Sequence, residues 1–272
     1  MSRSGNLKQF LQPAISSLRP ILMLGVIVAL GAPNLGAQGG IELSFKLKDS
    51  STTLHEPVWV ECSIHNTLPN SISLDLGFNR TRNFVFTITA PNGTVTSPLQ
   101  LGNAGFGLYG ELSLPAGGVH TEEVLLNEWY PFPAEGNYLV RVKFTGPIRT
   151  EFGQTIQANR EGEMELDIEP RNPKTLEEIC RALTAAAVSP NAEAALRAGR
   201  TLSYVSDPIA VPFLGEVLRN SDFAQLLAAQ GLGRIRTPEA LRILRSRLNT
   251  EDPGLKAVIE GALSGHPGAV MD

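Results

Sequence analysis

The chain has 272 residues, of which 42% are hydrophobic and 18% are charged, and its formal net charge is -4. This composition excludes a disordered chain and leaves room for about two folded domains. Residues 38–170 carry a net charge of -8 and residues 171–272 carry +1. Neither part is basic enough to bind a phosphate backbone as its main task, so we expect no nucleic-acid partner.

The start of the chain has the layout of a secretory signal peptide. Arg3, Lys8 and Arg19 precede an uninterrupted apolar run at 21–32, and small residues follow as far as Ala37. The run is shorter than the roughly 20 residues that a permanent membrane helix needs. We therefore predict a signal peptide over residues 1–37 and an exported product, periplasmic or secreted, without a stable membrane span. A retained anchor is the alternative.

Residues 38–169 follow the two-residue period of β-strands. Apolar and polar residues alternate at 41–47 and again at 58–64. Further short runs of this kind, separated by turns rich in glycine and proline, lie at 72–76, 84–89, 119–126, 138–144 and 163–168. Seven or more short strands with turns between them are typical of an antiparallel β-sandwich. We predict an all-β domain over residues 38–169.

Two families share sequence features with this region. The segment GNYLVRV at 136–142, preceded by LPAG at 114–117, resembles the penultimate strand of an immunoglobulin-like domain, with Tyr138 at the tyrosine corner. Together with residues 129–133 and 84–93, it also resembles the bacterial intracellular proteinase inhibitors of BsuPI type. The first resemblance implies an immunoglobulin-like sandwich, and the second implies inhibition of a protease.

The hydrophobic period changes from two to between three and four after Glu169. Pro170 and Pro173 remove backbone donors and disfavour helix in the residues before them, so we predict a linker at 170–174. Helices are expected from Thr175, which forms a capping box with Glu178. Four further helix starts are predicted where a capping residue precedes a proline: Ser189, Asp207, Thr237 and Asp252.

The helical region also repeats with a period of thirty residues. Six positions recur in the next copy: Leu202, Pro208, Ala210, Leu214, Leu218 and Asp222 as Leu232, Pro238, Ala240, Leu244, Leu248 and Asp252. This period, with two helices per unit, indicates an α-solenoid.

The segments AAQGLGRI at 228–235 and TPEAL at 237–241 resemble the short HEAT repeats related to the phycobilin lyase family. In the preceding copy, Ser203 and Tyr204 stand where the family's tight Leu-Gly turn is expected. We predict a short HEAT-type solenoid over 175–272. Because so short an array buries little surface, we expect the β domain to pack against it.

The chain lacks the common signatures of cofactor and metal sites. The glycines at 105–110 match the letters of a dinucleotide fingerprint, but a strand pattern and a turn follow instead of a helix. Cys62 and His65 are three residues apart on a strand and so face opposite sides. Cys62 and Cys180 are predicted to be free and buried, with a disulfide between the domains as the alternative. We predict no catalytic residue, cofactor or metal, and no enzymatic activity.

Two groups of side chains are candidate interaction surfaces. An aromatic loop lies between two strands, and basic residues gather in the last full repeat: Trp129, Tyr130 and Phe132, and Arg234, Arg236, Arg242 and Arg245. The aromatic loop could equally close one end of the sandwich. The arginines could be a solvated helix face, or could dock onto the carboxylates at alternate positions of 161–169.

The sequence therefore favours an exported, non-catalytic protein-interaction or scaffold protein with an unidentified protein partner. A first alternative is an inhibitor of an extracytoplasmic protease that acts through the loop at 102–110 or at 129–133. A second alternative is a carbohydrate-binding module or an enzyme, which would require a pocket that gathers a histidine or a pair of carboxylates.

Overall fold

A computed structural model of the chain describes residues 40–77, 83–98, 111–156 and 161–265. The predicted signal peptide at 1–37 and the loop at 102–110 lie outside these residues. Within them, a β-sheet region precedes a region of six α-helices. None of the helices described is both long and apolar enough to cross a membrane.

The β-sheet region forms from the alternating runs seen in the sequence. Each of the seven runs expected from that pattern contains a strand, so these predictions are confirmed. The strands are β1 (Ile41–Leu47), β2 (Ser51–Thr53), β3 (Trp59–Asn66), β4 (Ile72–Asp75), β5 (Phe84–Thr89), β6 (Val95–Thr96), β7 (Glu111–Leu114), β8 (Val119–Leu125), β9 (Gly136–Phe144), β10 (Ile148–Thr150), β11 (Thr155–Ile156) and β12 (Glu161–Glu169).

These strands pair into three sheets. The sheet orders are β1-β3-β8, β11-β10-β4-β7 and β2-β12-β9-β5-β6. Alternate residues of each long strand point inward, as β3 shows, where Val60, Cys62 and Ile64 are fully buried while the residues between them are half-exposed. The inward side chains of all three sheets form one hydrophobic core.

One pairing departs from the expected antiparallel pattern. β12 pairs with β9 in antiparallel fashion along its whole length, but on its other side it pairs with β2 in parallel, with Ser51 opposite Asp167. The expectation of a purely antiparallel arrangement is therefore wrong at this edge. Only three residues after β1 the chain has joined a different sheet, and this short crossover was not visible in the hydrophobic pattern.

The helical region stacks its helices in two layers. The helices are α1 (Pro173–Ala187), α2 (Ala192–Ser203), α3 (Val211–Asn220), α4 (Gln225–Ile235), α5 (Pro238–Ser246) and α6 (Pro253–Ser264). In one layer α1 contacts α3 and α3 contacts α5, and in the other α2 contacts α4 and α4 contacts α6. A second hydrophobic core lies between the layers.

The thirty-residue repeat accounts for this core. Leu202 and Leu232 are fully buried at equivalent places in α2 and α4, and the equivalent pair Leu214 and Leu244 is fully buried in α3 and α5. Leucines thirty residues apart in sequence therefore occupy the same packing position in two successive helix pairs. This confirms the solenoid-like arrangement.

Several helix starts were predicted correctly. The side chains of Thr237 and Asp252 accept hydrogen bonds from first-turn amides of α5 and α6. Asp207 does the same for a short 3-10 helix, Pro208–Ala210, which leads into α3. In each case the following proline occupies a position where no amide donor is needed.

Two helix starts were predicted wrongly. Asn172 caps α1, and its side chain accepts from the Thr175 amide at 3.3 Å, so Thr175 is not the cap of a capping box. Asn191 caps α2, two residues after the predicted Ser189. Asparagine caps a helix as well as serine or aspartate does, and both true caps lie within three residues of the ones that the sequence suggested.

Candidate functional site

Helix α2 contacts the β-sheet region through two arginines. Arg197 forms an ion pair with Glu123 of β8, and its guanidinium lies 5.4 Å from the ring centroid of Trp59. One turn later, Arg200 holds Glu128, which follows β8 in a short 3-10 turn, with two hydrogen bonds of 2.5 and 2.6 Å. The Glu128 side chain is 7% exposed, so this two-pronged pair is shielded from solvent on its acidic side.

A second junction lies where β12 leads into α1. Arg171 donates to both carboxylate oxygens of Asp207, at 2.5 and 3.0 Å, and the Asp207 side chain is 1% exposed. Burial alone would raise the pKa of this carboxyl. The hydrogen bonds from Arg171 and from the Ile209 amide outweigh burial and hold the pKa of Asp207 below its ordinary value.

A pocket opens between the two regions beside the Arg200 and Glu128 pair. It has a volume of about 550 Å³. Its walls come from the turn after β8, from the end of α2 with the chain that follows it, and from the last residues of α4. We call it the junction pocket. Its apolar surface is provided by Trp129, Pro131, Val205 and Ile235.

The guanidinium of Arg234 is held in the wall of the junction pocket by two contacts. It lies 3.9 Å from the ring centroid of Tyr204, and its Nη1 donates to the Ser203 carbonyl oxygen at 2.8 Å. Burial lowers the pKa of Arg234 and raises that of Tyr204. This stacking fixes the orientation of the guanidinium, so the positive charge of Arg234 has a fixed position in the pocket wall.

The remaining polar groups of the pocket are mostly committed to the fold. Both oxygens of Glu128 accept from Arg200. The Asn127 side chain bonds the backbone of Val58 and Glu56, which ties the turn to the strand before it. The pocket therefore gathers one carboxylate, already paired, and one arginine without a carboxylate partner among the described residues.

The predicted aromatic loop is partly built into the core. Phe132 is 2% exposed, and its ring lies 5.0 Å from that of Tyr130 and 5.3 Å from that of Tyr138. Trp129 is half-buried and packs on Phe86 at 5.1 Å between centroids. Of the three predicted side chains, Trp129 is the one that lines the junction pocket.

The predicted arginines differ in their surroundings. Arg234 lines the pocket, and Arg236 donates to the Ala262 carbonyl oxygen at 2.9 Å. Arg242 and Arg245 are exposed on α5, where Arg242 is paired with Glu239. Arg234 therefore lies in the pocket wall, whereas Arg236, Arg242 and Arg245 are exposed.

The acidic face of β12 is paired within its own sheet. Glu163 accepts from Arg141 of β9 at 2.7 Å, and Glu161 lies 3.7 Å from the Lys143 ammonium group. Neither Arg234 nor Arg236 reaches this face, since their hydrogen bonds stay within the helical region. The arginines that do reach the β-sheet region are Arg197 and Arg200 of α2.

Both cysteines are free and buried, which confirms the prediction of unpaired thiols. Burial raises the pKa of Cys180 to about 12 and that of Cys62 still further above its ordinary value. His65 lies near Glu42 on the exposed side of its strand, opposite Cys62. In the part of the chain that the structure describes, no three histidine, cysteine or acidic side chains are grouped so that they could hold a metal ion.

Sequence reasoning missed four residues of this site: Glu128, Arg200, Ser203 and Tyr204. A signal for two of them was present. Ser203 and Tyr204 depart from the Leu-Gly turn of the repeat pattern, and these residues bind Arg234 and open the pocket. Departures from a local rule often mark functional positions, so this departure could have directed attention to the junction.

Comparison with known proteins supports the assignment of the helical region. Residues 180–264 match the family of HEAT repeats. This match confirms the resemblance seen in the sequence for that part of the chain. No curated protein matches the chain at a significant level.

Several solved structures show weak likeness to this chain. A Northeast Structural Genomics Consortium target is 13% identical, with 47% of this chain and 84% of that chain covered and a TM-score of 0.28. The Pseudomonas fluorescens alkylpurine DNA glycosylase AlkC is 14% identical, with 49% of this chain and 32% of that chain covered and a TM-score of 0.26. The sporulation control protein Spo0M from Bacillus subtilis is 11% identical, with 54% and 56% covered and a TM-score of 0.26. All of these TM-scores are below 0.5, so they carry no argument about fold or function.

Proposed function

We propose that this chain is an exported, non-catalytic protein-interaction or scaffold protein, and that its helical region binds the partner. The observation that carries the proposal is the HEAT-repeat match over residues 180–264. Solenoids of this kind work by presenting an extended surface made of successive helices. Export, the absence of catalysis and the division into domains at 170–174 belong to the proposal, and export is supported by the signal-peptide pattern of residues 1–37.

We further propose that the β-sheet region is an immunoglobulin-like domain. Its strand order supports this, since β1-β3-β8 matches strands A-B-E of such a domain and β12-β9-β5 matches strands G-F-C. The Tyr138 hydroxyl donates to the Ala134 carbonyl oxygen at 2.8 Å, four residues upstream, as a tyrosine corner does. The resemblance to BsuPI-type inhibitors has less support, because Phe132 and Tyr130 are held inside the loop at 129–133.

The partner surface that we favour is the exposed side of α5. Arg242 and Arg245 lie there one turn apart and both are exposed. Glu239, the acidic residue of that turn, is already paired with Arg242. This face would attract an acidic partner. Exposed charges at an interface increase the rate of association with an oppositely charged protein and make that rate depend on salt.

Site-specific photo-crosslinking in the native host tests this proposal. A benzophenone amino acid would replace Arg245, and a matched control would replace Glu151, which is exposed at a turn of the β-sheet region. We expect one discrete protein adduct from position 245 and none from position 151. The double charge reversal Arg242→Glu and Arg245→Glu should prevent binding of the protein identified in that adduct. Equal adducts from both positions, or none from 245, would remove α5 as the interaction surface.

Protease and sugar assays separate the alternatives. Titration of a panel of extracytoplasmic proteases with the full chain should leave their activity unchanged if the interaction proposal is correct. Loss of activity of one protease at stoichiometric concentration would favour the inhibitor instead. A carbohydrate-binding module would be favoured by a rise in melting temperature on addition of a sugar.

A further inference from the structure

We infer that the junction pocket binds a small organic carboxylate whose body is apolar or aromatic, with Arg234 as the anchor of the carboxylate. This site goes beyond the proposed interaction surface on α5, and it depends on different residues. Its volume of about 550 Å³ lies within the range of roughly 300–1,000 Å³ that is typical of small-molecule sites.

The charge of the pocket favours an anion. Glu128 is the carboxylate in the wall, and Arg200 satisfies both of its oxygens. Asp207 lies between two pocket residues in sequence, Ser206 and Pro208, and both of its carboxylate oxygens accept from Arg171. Arg234 lies in the field of Glu128 but forms no ion pair with any carboxylate of the described residues, so the charges of Arg200, Arg234 and Glu128 leave a net positive charge beside the pocket.

The donors of Arg234 are also available. A guanidinium has five N–H donors, and in the described structure Nη1 has a protein acceptor, the Ser203 carbonyl. Arg234 is partly exposed and lines the pocket, so its remaining N–H donors can meet a ligand there. A carboxylate is the group that matches the planar fork of a guanidinium best.

Arg234 is oriented before any ligand arrives. Stacking on Tyr204 at 3.9 Å and the bond to Ser203 at 2.8 Å remove most of the freedom of this long side chain. The entropy cost of holding a ligand is then lower than for a mobile surface arginine. A half-buried, fixed guanidinium beside an open volume is the arrangement expected of an anion anchor.

The apolar walls define the rest of the ligand. Trp129 and Pro131 enter from the β-sheet region, and Val205 and Ile235 enter from the helical region. An aromatic or branched aliphatic body would contact both sides while its carboxylate meets Arg234. Such a ligand would also bridge the two regions.

Indole NMR of the full-length protein tests the inference, with phenylacetate as the probe. The chain has two tryptophans, Trp129 in the pocket and Trp59 outside its lining, so the variant Trp59→Phe assigns the two indole signals. We expect a saturable shift of the Trp129 signal with phenylacetate. Phenylacetamide, which has the same shape but no charge, should bind about tenfold more weakly, because it loses the charge-assisted hydrogen bonds.

Substitutions then assign the anchor. Arg234→Met should weaken phenylacetate binding by about tenfold, and Arg181→Met, at an exposed arginine outside the pocket, should leave it unchanged. Arg234→Met could also disturb the fold, so Arg234→Lys, which keeps the charge, is a second variant. Its affinity for phenylacetate should lie between those of Arg234→Met and the unmodified protein. Equal affinity for acid and amide, equal affinity of Arg234→Met and the unmodified protein, or no saturable shift would each overturn the inference. A shift with glucose but not with phenylacetate would do so as well, and would favour a sugar site.

Discussion

Arg200 and Glu128, seventy-two positions apart in sequence, face each other with two nitrogens of the guanidinium on the two carboxylate oxygens, at 2.5 and 2.6 Å. This pair fixes α2 to the turn after β8. It also forms one side of the junction pocket, since the residues on either side of Glu128 line its wall. The attachment of the two regions and the shape of the pocket therefore depend on the same contact.

Loss of Arg200 should destabilise the fold. In Arg200→Met the Glu128 carboxylate, 7% exposed, keeps its charge but loses both of its donors. We expect a decrease of about 2–3 kcal/mol in the free energy of unfolding, measured in urea. The matched control is Arg242→Met, whose partner Glu239 is exposed, and it should leave the urea midpoint unchanged. Equal effects of the two substitutions would contradict a structural role for the junction pair.

The Arg171 and Asp207 pair should make stability depend on acid pH. The pKa of Asp207 is lower in the folded chain than its ordinary value of 3.8. The stabilisation is therefore complete above the ordinary value and is lost as the pH falls from there through the folded value. Asp207→Asn retains a good capping residue but removes the charge. We expect the variant to be less stable than the original protein at pH 7, with the difference shrinking below pH 3.8. Thermal melts from neutral to acid pH measure this, and the control Asp222→Asn, at an exposed carboxylate, should be as stable as the original protein at pH 7.

The Tyr138 hydroxyl should contribute to stability through the backbone. It donates to the Ala134 carbonyl at 2.8 Å and accepts from the Ala134 amide at 3.3 Å, and Tyr138 is 2% exposed. Tyr138→Phe should cost about 1–2 kcal/mol, because it leaves these groups without their partner. Tyr130→Phe is the control, since its hydroxyl has no hydrogen bond to any described residue, and it should cost less than about 0.5 kcal/mol. A larger loss for Tyr130→Phe would show that the hydrogen bond is not what matters at Tyr138.

A methyl group at Gly199 should force α2 and α4 apart. A Cβ atom built there would lie 2.4 Å from the Cβ of Ala224, which is fixed to its own backbone. Gly199→Ala should therefore destabilise the protein by about 1–3 kcal/mol, even though alanine favours helix more than glycine does. Gly254→Ala, where the nearest atom is a side-chain oxygen at 3.3 Å, should change the unfolding free energy by less than about 0.5 kcal/mol. A stabilised Gly199→Ala variant would refute the close packing of these helices.

Neither thiol should react while the protein is folded. Burial raises the pKa of Cys180 to about 12, and that of Cys62 is higher still, so almost no thiolate exists at pH 8. Labelling with Ellman's reagent should therefore be negligible at pH 8 and should reach two thiols per chain in denaturant. If only denatured and reduced protein reacts, Cys62 and Cys180 are joined by a disulfide and the free-thiol assignment is wrong.

Local patterns predicted the elements of this fold well. The two-residue period located seven of the twelve described strands, and the cap and proline pairs at Thr237 and Asp252 located α5 and α6, because each signal acts within one turn or one strand. Asn172 was missed because the prolines around it were interpreted as breakers only. A proline at the first position of a helix also starts one, and Pro173 does so here.

The junction could not be predicted in the same way. The sequence around Arg200 does not indicate that its partner is Glu128, and the sequence around Glu128 does not indicate Arg200. The packing of the two regions decides which acidic residue a side chain of α2 contacts. The directions in which Arg234, Arg236, Arg242 and Arg245 point could not be predicted for a related reason. Nearness in sequence does not fix direction on a helix, and Arg234 points to Tyr204 while Arg245 is exposed.

Thr53 makes the connection between the two regions rigid. Its hydroxyl donates to the Pro170 carbonyl at 2.8 Å and accepts from the Asn172 amide at 2.8 Å, and the neighbouring Leu54 amide donates to Glu169 at 3.0 Å. The segment between β12 and α1 is thereby hydrogen-bonded to the end of β2. A force that pulls on the last helices would consequently be transmitted to the β2 and β12 hydrogen bonds instead of being absorbed by a slack hinge.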